Sequence, residues 1–283
     1  MRKLFSGVLY TYIEWLRSPR QFIFITEIIL LLQFVIRPIV VFTQRKGALL
    51  NVFEPFLLLF SVPVMVCVLF FSFFLLIGDF PKILPAHVYI IPRIGRMKWL
   101  AGQFVFALLA AATYFGALFL ACAIYVSRIS YFANGWSPVY QELLHADHSQ
   151  LDGLGVIILP TSDLLYSSRP YDALPNTFFL LLLMSILFMQ IICIFSLQKR
   201  KLVGVIVSLS LLGAGYALMS TGSPIRWAFP LSNGILRDHF VRLITIYPVL
   251  YSYIYFYVLI SIGTIICFYS AKRYSFSFSL EEP

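Results

Sequence analysis

The side chains best suited to chemistry are few, and their spacing decides what each can do. His145, Asp147, His148 and Asp152 have donor types that bind divalent metals. Two imidazoles three residues apart in a polar loop match no zinc motif, so no metal site is assigned. Glu27 and Arg37 interrupt an otherwise apolar stretch. Ten residues separate them, about 15 Å along a helix and on different faces, so they do not pair within one helix. Charge inside a bilayer is costly and usually kept for function. Each is therefore expected to contact another helix or reach a headgroup, with a place on a substrate pathway as the other reading of Glu27. His87 and His239 have no evident catalytic partner. The chain lacks H-E-x-x-H, G-x-S-x-G and paired carboxylates inside its apolar runs, and no catalytic residue is assigned. It also lacks G-x-x-x-x-G-K-[ST], whose backbone amides cradle nucleotide phosphates, so it is not expected to hydrolyse ATP by that route. Cys67, Cys122, Cys193 and Cys267 all lie in apolar runs without metal-ligand spacing and read as small buried hydrophobes.

The elements that must position these residues are set by composition. Of 283 residues, 60% are hydrophobic and only 12% charged, which excludes an ordinary soluble domain and makes the bilayer the solvent. The predicted architecture is an all-α integral membrane protein with one transmembrane domain over 1–283. Six spans are predicted at about 21–42, 55–78, 99–127, 175–198, 202–221 and 243–271. Uninterrupted apolar runs exclude a transmembrane β-barrel, whose strands alternate over about ten residues. The two longest charge-free runs, Trp99 to Ser127 and Leu243 to Ala271, would each measure about 43 Å as straight helices and must tilt, kink or protrude. Pro63 and Pro248 predict kinks in the second and sixth spans.

Residues 1–20 are not expected to be a secretory signal, since Arg2 and Lys3 are followed by Thr11, Glu14, Arg17, Ser18 and Arg20 before any long apolar run. Phe5, Val8, Leu9, Tyr12 and Leu16 share one sector of a helix, with Lys3, Glu14 and Arg17 opposite. This predicts an amphipathic helix in the headgroup plane, with Trp15 near its edge. The net charge of +9 is scattered between apolar runs, which argues for membrane topology over nucleic-acid binding. With the N-terminus inside, thirteen basic residues fall on the cytoplasmic side and seven on the other. Both termini are therefore expected in the cytoplasm. The segment 128–172 then becomes an extracellular loop with five acidic and two basic residues. Thr221 to Arg242, with Pro224, Trp227, Pro230 and Gly234, reads as short helices dipping back toward the membrane.

An in-plane helix, six spans, a loop between the second and third spans, and re-entrant segments before the sixth together resemble the permease subunits of ABC exporters of the ABC-2 (type V) class. The local likeness is Arg93 to Gln103, reading Arg-Ile-Gly-Arg-Met-Lys-Trp-Leu-Ala-Gly-Gln, which looks like that family's basic, Gly-containing entry to the third span. The resemblance implies a multi-pass bacterial plasma-membrane protein. It implies that residues 78–98 hold a coupling helix docking on a separate ATPase subunit, where ATP and Mg would bind; this chain itself is expected to bind no cofactor. Asp79, Lys82, Arg93 and Arg96 could form rim ion pairs, and Ile83, Leu84, Val88 and Ile90 could seat in an apolar groove. The same cations could instead serve only to enforce orientation. A second permease half, identical or related, is implied. The small-x-x-x-small pairs Ala112/Gly116, Ala117/Ala121 and Gly213/Ala217 could pack helices within the chain or against that half.

The expected activity is transport of a hydrophobic or amphipathic cargo: peptide, drug-like molecule or lipid. Glu27, Tyr247, Tyr251, Tyr255 and Phe256 are the pathway candidates, although span aromatics commonly face lipid or pack on neighbours. Two alternatives stand beside it. A six-span substrate-binding subunit of an uptake system would need a polar pocket that the sequence does not supply. A membrane scaffold or sensor would act through the acidic loop 128–172.

Overall fold

The structure, a computed structural model, describes residues 2–82, 91, 93–145, 155–156, 158–241 and 244–273, with side chains from Ser6 to Lys272. Five helices in it are long and apolar enough to cross a membrane, and there are six such crossings if the bent helix pair counts as one span. The protein is an all-α membrane protein.

Helix α1 (Arg2–Leu16) precedes the first span. That span runs Gln21–Lys46 as α2 (Gln21–Leu31), a π turn (Leu32–Ile36) and α3 (Arg37–Lys46). The π turn has a local cause. Pro38 has no N–H to donate and its ring crowds the carbonyl four residues back, so the backbone widens and Arg37 N–H bonds Leu32 O, five residues behind.

After strand β1 (Leu50–Asn51), the second crossing is α4 (Glu54–Ser61) followed by α5 (Pro63–Ile77). The kink predicted at Pro63 is a full break: the two helices meet at 92°. Val62 is extended at φ −103° and ψ 115°, as a residue before proline prefers, and Pro63 begins a new helix. Breaking a helix frees carbonyls. Arg237 Nη1 donates to Ser61 O at 3.1 Å, and Ser61 Oγ donates to Leu58 O at 2.8 Å. A cation at a helix C-terminus also complements the dipole there.

The third span is α6 (Arg96–Val126), followed by strand β2 (Ser130–Tyr131), which pairs in parallel with β1. Short helices α7 (Pro138–His145) and α8 (Ser162–Ser167) follow. The fourth and fifth spans are α9 (Pro170–Leu197) and α10 (Lys201–Ser220). Between the fifth and sixth spans lie a 3-10 turn (Pro224–Ala228), α11 (Pro230–Gly234), a second 3-10 turn (Leu236–His239) and a hairpin of β3 (Phe240–Val241) with β4 (Ile244–Thr245). The sixth span, α12, is Val249–Arg273. It starts six residues later than the sequence suggests. Pro248 disfavours helix in the residue before it and so starts this span instead of kinking it.

The core is aromatic. Phe70, Phe73, Phe74, Phe115 and Phe188 interlock with ring centroids 5.3–6.5 Å apart where α5, α6 and α9 meet. Such pairs add about 0.5–1.5 kcal/mol each beyond the area they bury. Closest approach relies on particular glycines. A Cβ on Gly204 would stand 3.0 Å from Ile192 Cα, and one on Gly263 would overlap Gln190 Oε1. Gly116 and Gly213, on the small-residue rows read from the sequence, have nothing within 4 Å of where a Cβ would stand.

Helix α1 buries Val8, Thr11 and Trp15, and exposes Leu9 and Leu16. The seated row is thus turned from the predicted apolar sector. Thr11 can be buried because its hydroxyl donates to Gly7 O, and the Trp15 indole N–H donates to Leu76 O at the end of α5. Tyr12 and Thr113 share a hydrogen bond of 2.5 Å. Thr113 lies 17 residues into α6, about 26 Å along its axis, so α1 runs beside that helix.

Candidate functional site

At the end of the bundle holding the basic turn 198–201, the residues flanking the proposed coupling segment are tied to several helix ends. Gly78 ends α5, and Asp79 follows. Its carboxylate takes an ion pair from Arg20, before α2, at 2.7 Å and another from Lys201 at the start of α10. Partial burial pushes the Asp79 carboxyl up, but Lys201 and then Arg20 hold it below the usual carboxylate range. Three residues on, Lys82 N–H donates to Gln103 Oε1 at 3.1 Å, and Gln103 Nε2 donates back to Lys82 O at 3.4 Å. Burial lowers the Lys82 ammonium, against the opposing charges of Glu14 and Asp79. On the other flank, Arg96 Nη1 donates to Lys272 O in the last turn of α12 at 3.1 Å.

Gly95 sets the entry to the third span. Its φ of +84° with ψ 147° lies where side chains are disfavoured, and this turn begins α6. Gly95 N–H bonds Ile91 O, and Trp99 N–H bonds Gly95 O. Arg93, Arg96, Met97 and Lys98 are exposed, whereas Ile91 and Trp99 are buried. The placement changes one expectation: Asp79 is held by the chain's own cations and is an internal tie, not a free rim group. Ile83, Leu84, Val88 and Ile90 lie outside the described residues.

The pathway candidates fall in two places. Glu27 sits where α2, α5 and α6 meet. Ser72 Oγ donates to its Oε2 at 2.5 Å, and the Tyr114 hydroxyl lies 3.0–3.1 Å from both carboxyl oxygens. Tyr114 also reaches Leu69 O at 2.8 Å. Arg37 bonds Gln33 on its own span at 3.2 Å, so Glu27 and Arg37 indeed do not pair. The four aromatic candidates lie elsewhere, in and just before α12. Tyr247 stacks on Trp227 at 4.2 Å, the Tyr255 hydroxyl donates to Ala228 O at 2.9 Å, Tyr251 is exposed, and Phe256 is fully buried.

The far end contains the polar clusters that sequence reading missed. In the first, Ser252 Oγ donates to Asn233 Oδ1 and lies 2.8 Å from His239 Nε2. His239 Nδ1 lies 3.1–3.2 Å from the Ile235 and Leu236 carbonyls. Asn233 Nδ2 donates to Trp227 O and Phe229 O. This joins the turns between the fifth and sixth spans to α12. Burial pushes the His239 imidazole down to about 4, outweighing the two carbonyls that favour its charged form. Burial also raises the Asp238 carboxyl, against Arg237 and Arg226.

The second cluster joins β1, α4 and the loop before α7. Glu54 accepts from Asn51 N–H at 2.9 Å, Ser137 N–H at 2.5 Å and Ser137 Oγ at 2.7 Å. Asn51 Nδ2 donates to Ala133 O and Gly135 O. Lys46 pairs with Glu142 at 2.9 Å, and Trp136 Nε1 donates to Ser168 O at 2.7 Å. The described parts of 128–172, the segment expected to form an extracellular loop, are bonded to the ends of the spans. His145 is exposed at the end of α7; Asp147, His148 and Asp152 lie outside the described residues. Among the described residues, no group of three or more His, Cys, Asp or Glu side chains could hold a metal.

Glu54 was legible as an acidic residue just before Pro55 at a helix start. Ser137, Asn233 and Ser252 carried no signal, because a small polar residue becomes informative only once its partner is known. Comparison with known proteins adds no identity: no protein family, curated protein or solved structure matches the chain.

Proposed function

We propose that the chain is the membrane-spanning permease subunit of an ABC exporter of the ABC-2 class, moving a hydrophobic or amphipathic cargo with ATP hydrolysed by a separate subunit. The observation that carries this reading is the anchoring of the segment 78–98. Its flanks are bonded to Arg20 before the first span, Gln103 in the third, Lys201 in the fifth and Lys272 in the sixth. A force applied there would reach most of the bundle at once, which is what a coupling element requires. Exposed Arg93, Arg96 and Lys98 offer cations to an acidic rim on the ATPase.

The discontinuous second crossing and the re-entrant region also suit a transporter, where broken helices surround a pathway. In this reading both termini are cytoplasmic. Helix α1 is an inclined amphipathic elbow, with Trp15 pinned at the inner surface and Leu9, Ile13 and Leu16 toward acyl chains. The open rows at Gly116 and Gly213 leave room for a second permease half.

The test is co-purification at native expression followed by charge reversal. A stoichiometric ATPase subunit is expected with the wild type. Arg93→Glu with Arg96→Glu should abolish assembly or coupled transport while membrane insertion persists. Normal coupled activity in that double variant would reject the assignment. A tightly held small molecule in place of an ATPase would favour an uptake subunit.

A further inference from the structure

Between α2 and α5 a groove of about 550 Å³ opens sideways from the bundle. Its size is that of a pocket for a drug-sized molecule. Phe22, Leu30, Val68 and Phe71 form its exposed walls, and Glu27 lies in its lining beside Ser72. Neutral hydroxyls supply all of the Glu27 side-chain bonds found, from Ser72 and Tyr114. Among the described residues no Lys, Arg or His side chain pairs with it; Arg37 is turned to Gln33.

Burial disfavours charge on a carboxyl without a counter-cation, and a cation bound beside it in a groove open to the side would favour its ionised form and complete an ion pair. The complementary molecule has a positive head and an apolar body. Phospholipid acyl chains would fill the walls but leave the carboxyl unused. Phe22 and Phe71 are among the lining residues, and aromatic rings attract an ammonium group where it is desolvated. We propose that this groove binds a cationic amphiphile, with the ammonium group on Glu27 and the apolar body between α2 and α5. As a binding site the groove stands apart from the exporter reading; only the extension to a transported cargo rests on that reading.

The test uses the purified full chain in micelles of an uncharged maltoside detergent, which carries no cationic head, and a photoreactive alkyl-trimethylammonium probe, with labelled peptides located by mass spectrometry. Labelling is expected on α2 and α5. It should be competed by unlabelled alkyl-trimethylammonium and not by the alcohol of equal chain length. Glu27→Gln, which keeps the side-chain volume, should weaken labelling at least tenfold. Val68→Trp should reduce it by filling the groove while leaving the carboxyl intact. Helicity and monodispersity confirm that each variant is folded. Equal competition by the alcohol with full labelling of Glu27→Gln would overturn the proposal and leave a lipid crevice only. Should Glu27→Gln fail to fold, unchanged labelling of Val68→Trp would overturn it alone. Binding without transport defeats only the extension to cargo; absent binding alongside a co-purifying ATPase defeats the groove and leaves the exporter reading intact.

Discussion

Replacing Glu54 tests whether one buried carboxyl holds the loop after the third span to the start of the second crossing. Glu54 is 1% exposed and serves three donors: two backbone N–H groups and one hydroxyl. Ser137 is also the N-cap of α7, since its Oγ accepts from Tyr140 N–H at 3.1 Å. Glu54→Ala leaves the Asn51 and Ser137 amides without an acceptor. Each such loss costs about 1–3 kcal/mol, and the Ser137 hydroxyl can turn elsewhere, so a total of about 2–6 kcal/mol is expected for the two amides. Glu54→Gln keeps one oxygen for two donors and presents an amide N–H₂ to the third, at a cost of about 1–3 kcal/mol. Equilibrium unfolding in mixed micelles reads both values. Limited proteolysis across residues 130–137 should accelerate in the same order, alanine variant fastest. An alanine variant within about 1 kcal/mol of wild type, or indistinguishable from the glutamine variant, would refute the reasoning, because the structure gives the two different numbers of unsatisfied donors.

Two further outcomes follow from the charged groups. Asp79→Asn should cost about 1 kcal/mol or less, since both its ion pairs are half-exposed and solvent-screened, and the difference should fade near 1 M salt. The same variant should nevertheless weaken coupled transport severalfold, and unchanged coupling would show that the tie carries no motion. His239 should make the protein less stable as pH falls. Its folded value near 4 lies below the usual 6.5, so between those values the unfolded chain takes up a proton that the folded one refuses. The loss is confined to that window and reaches about 3 kcal/mol, with full stability above pH 6.5. Asp238, raised by burial, tilts the profile the other way, so the quantity to read is wild type minus His239→Gln. A flat difference across pH 4–6.5 would exclude a neutral buried imidazole.

The sequence by itself determined that this chain belongs in a bilayer, and roughly where it crosses. Those conclusions rest on long runs such as Trp99 to Ser127, in which length and the lack of charge act without reference to any other part of the chain. Proline positions were legible as breaks, but Pro63 divides a crossing at 92° while Pro248 only starts one. Local sequence says that a helix is interrupted; what satisfies the freed carbonyls decides its path, and Arg237, 176 residues away, does so at Ser61. Glu27 was legible as unpaired within its own helix, whereas Ser72 and Tyr114 as its partners were not. Tertiary structure alone turned Asp79 from a surface charge into a tie among three helix ends and seated Glu54 under Ser137. Hydrophobicity is a property of each residue and sums along the chain. A hydrogen bond or ion pair belongs to two atoms, and which two meet is fixed only when the helices pack.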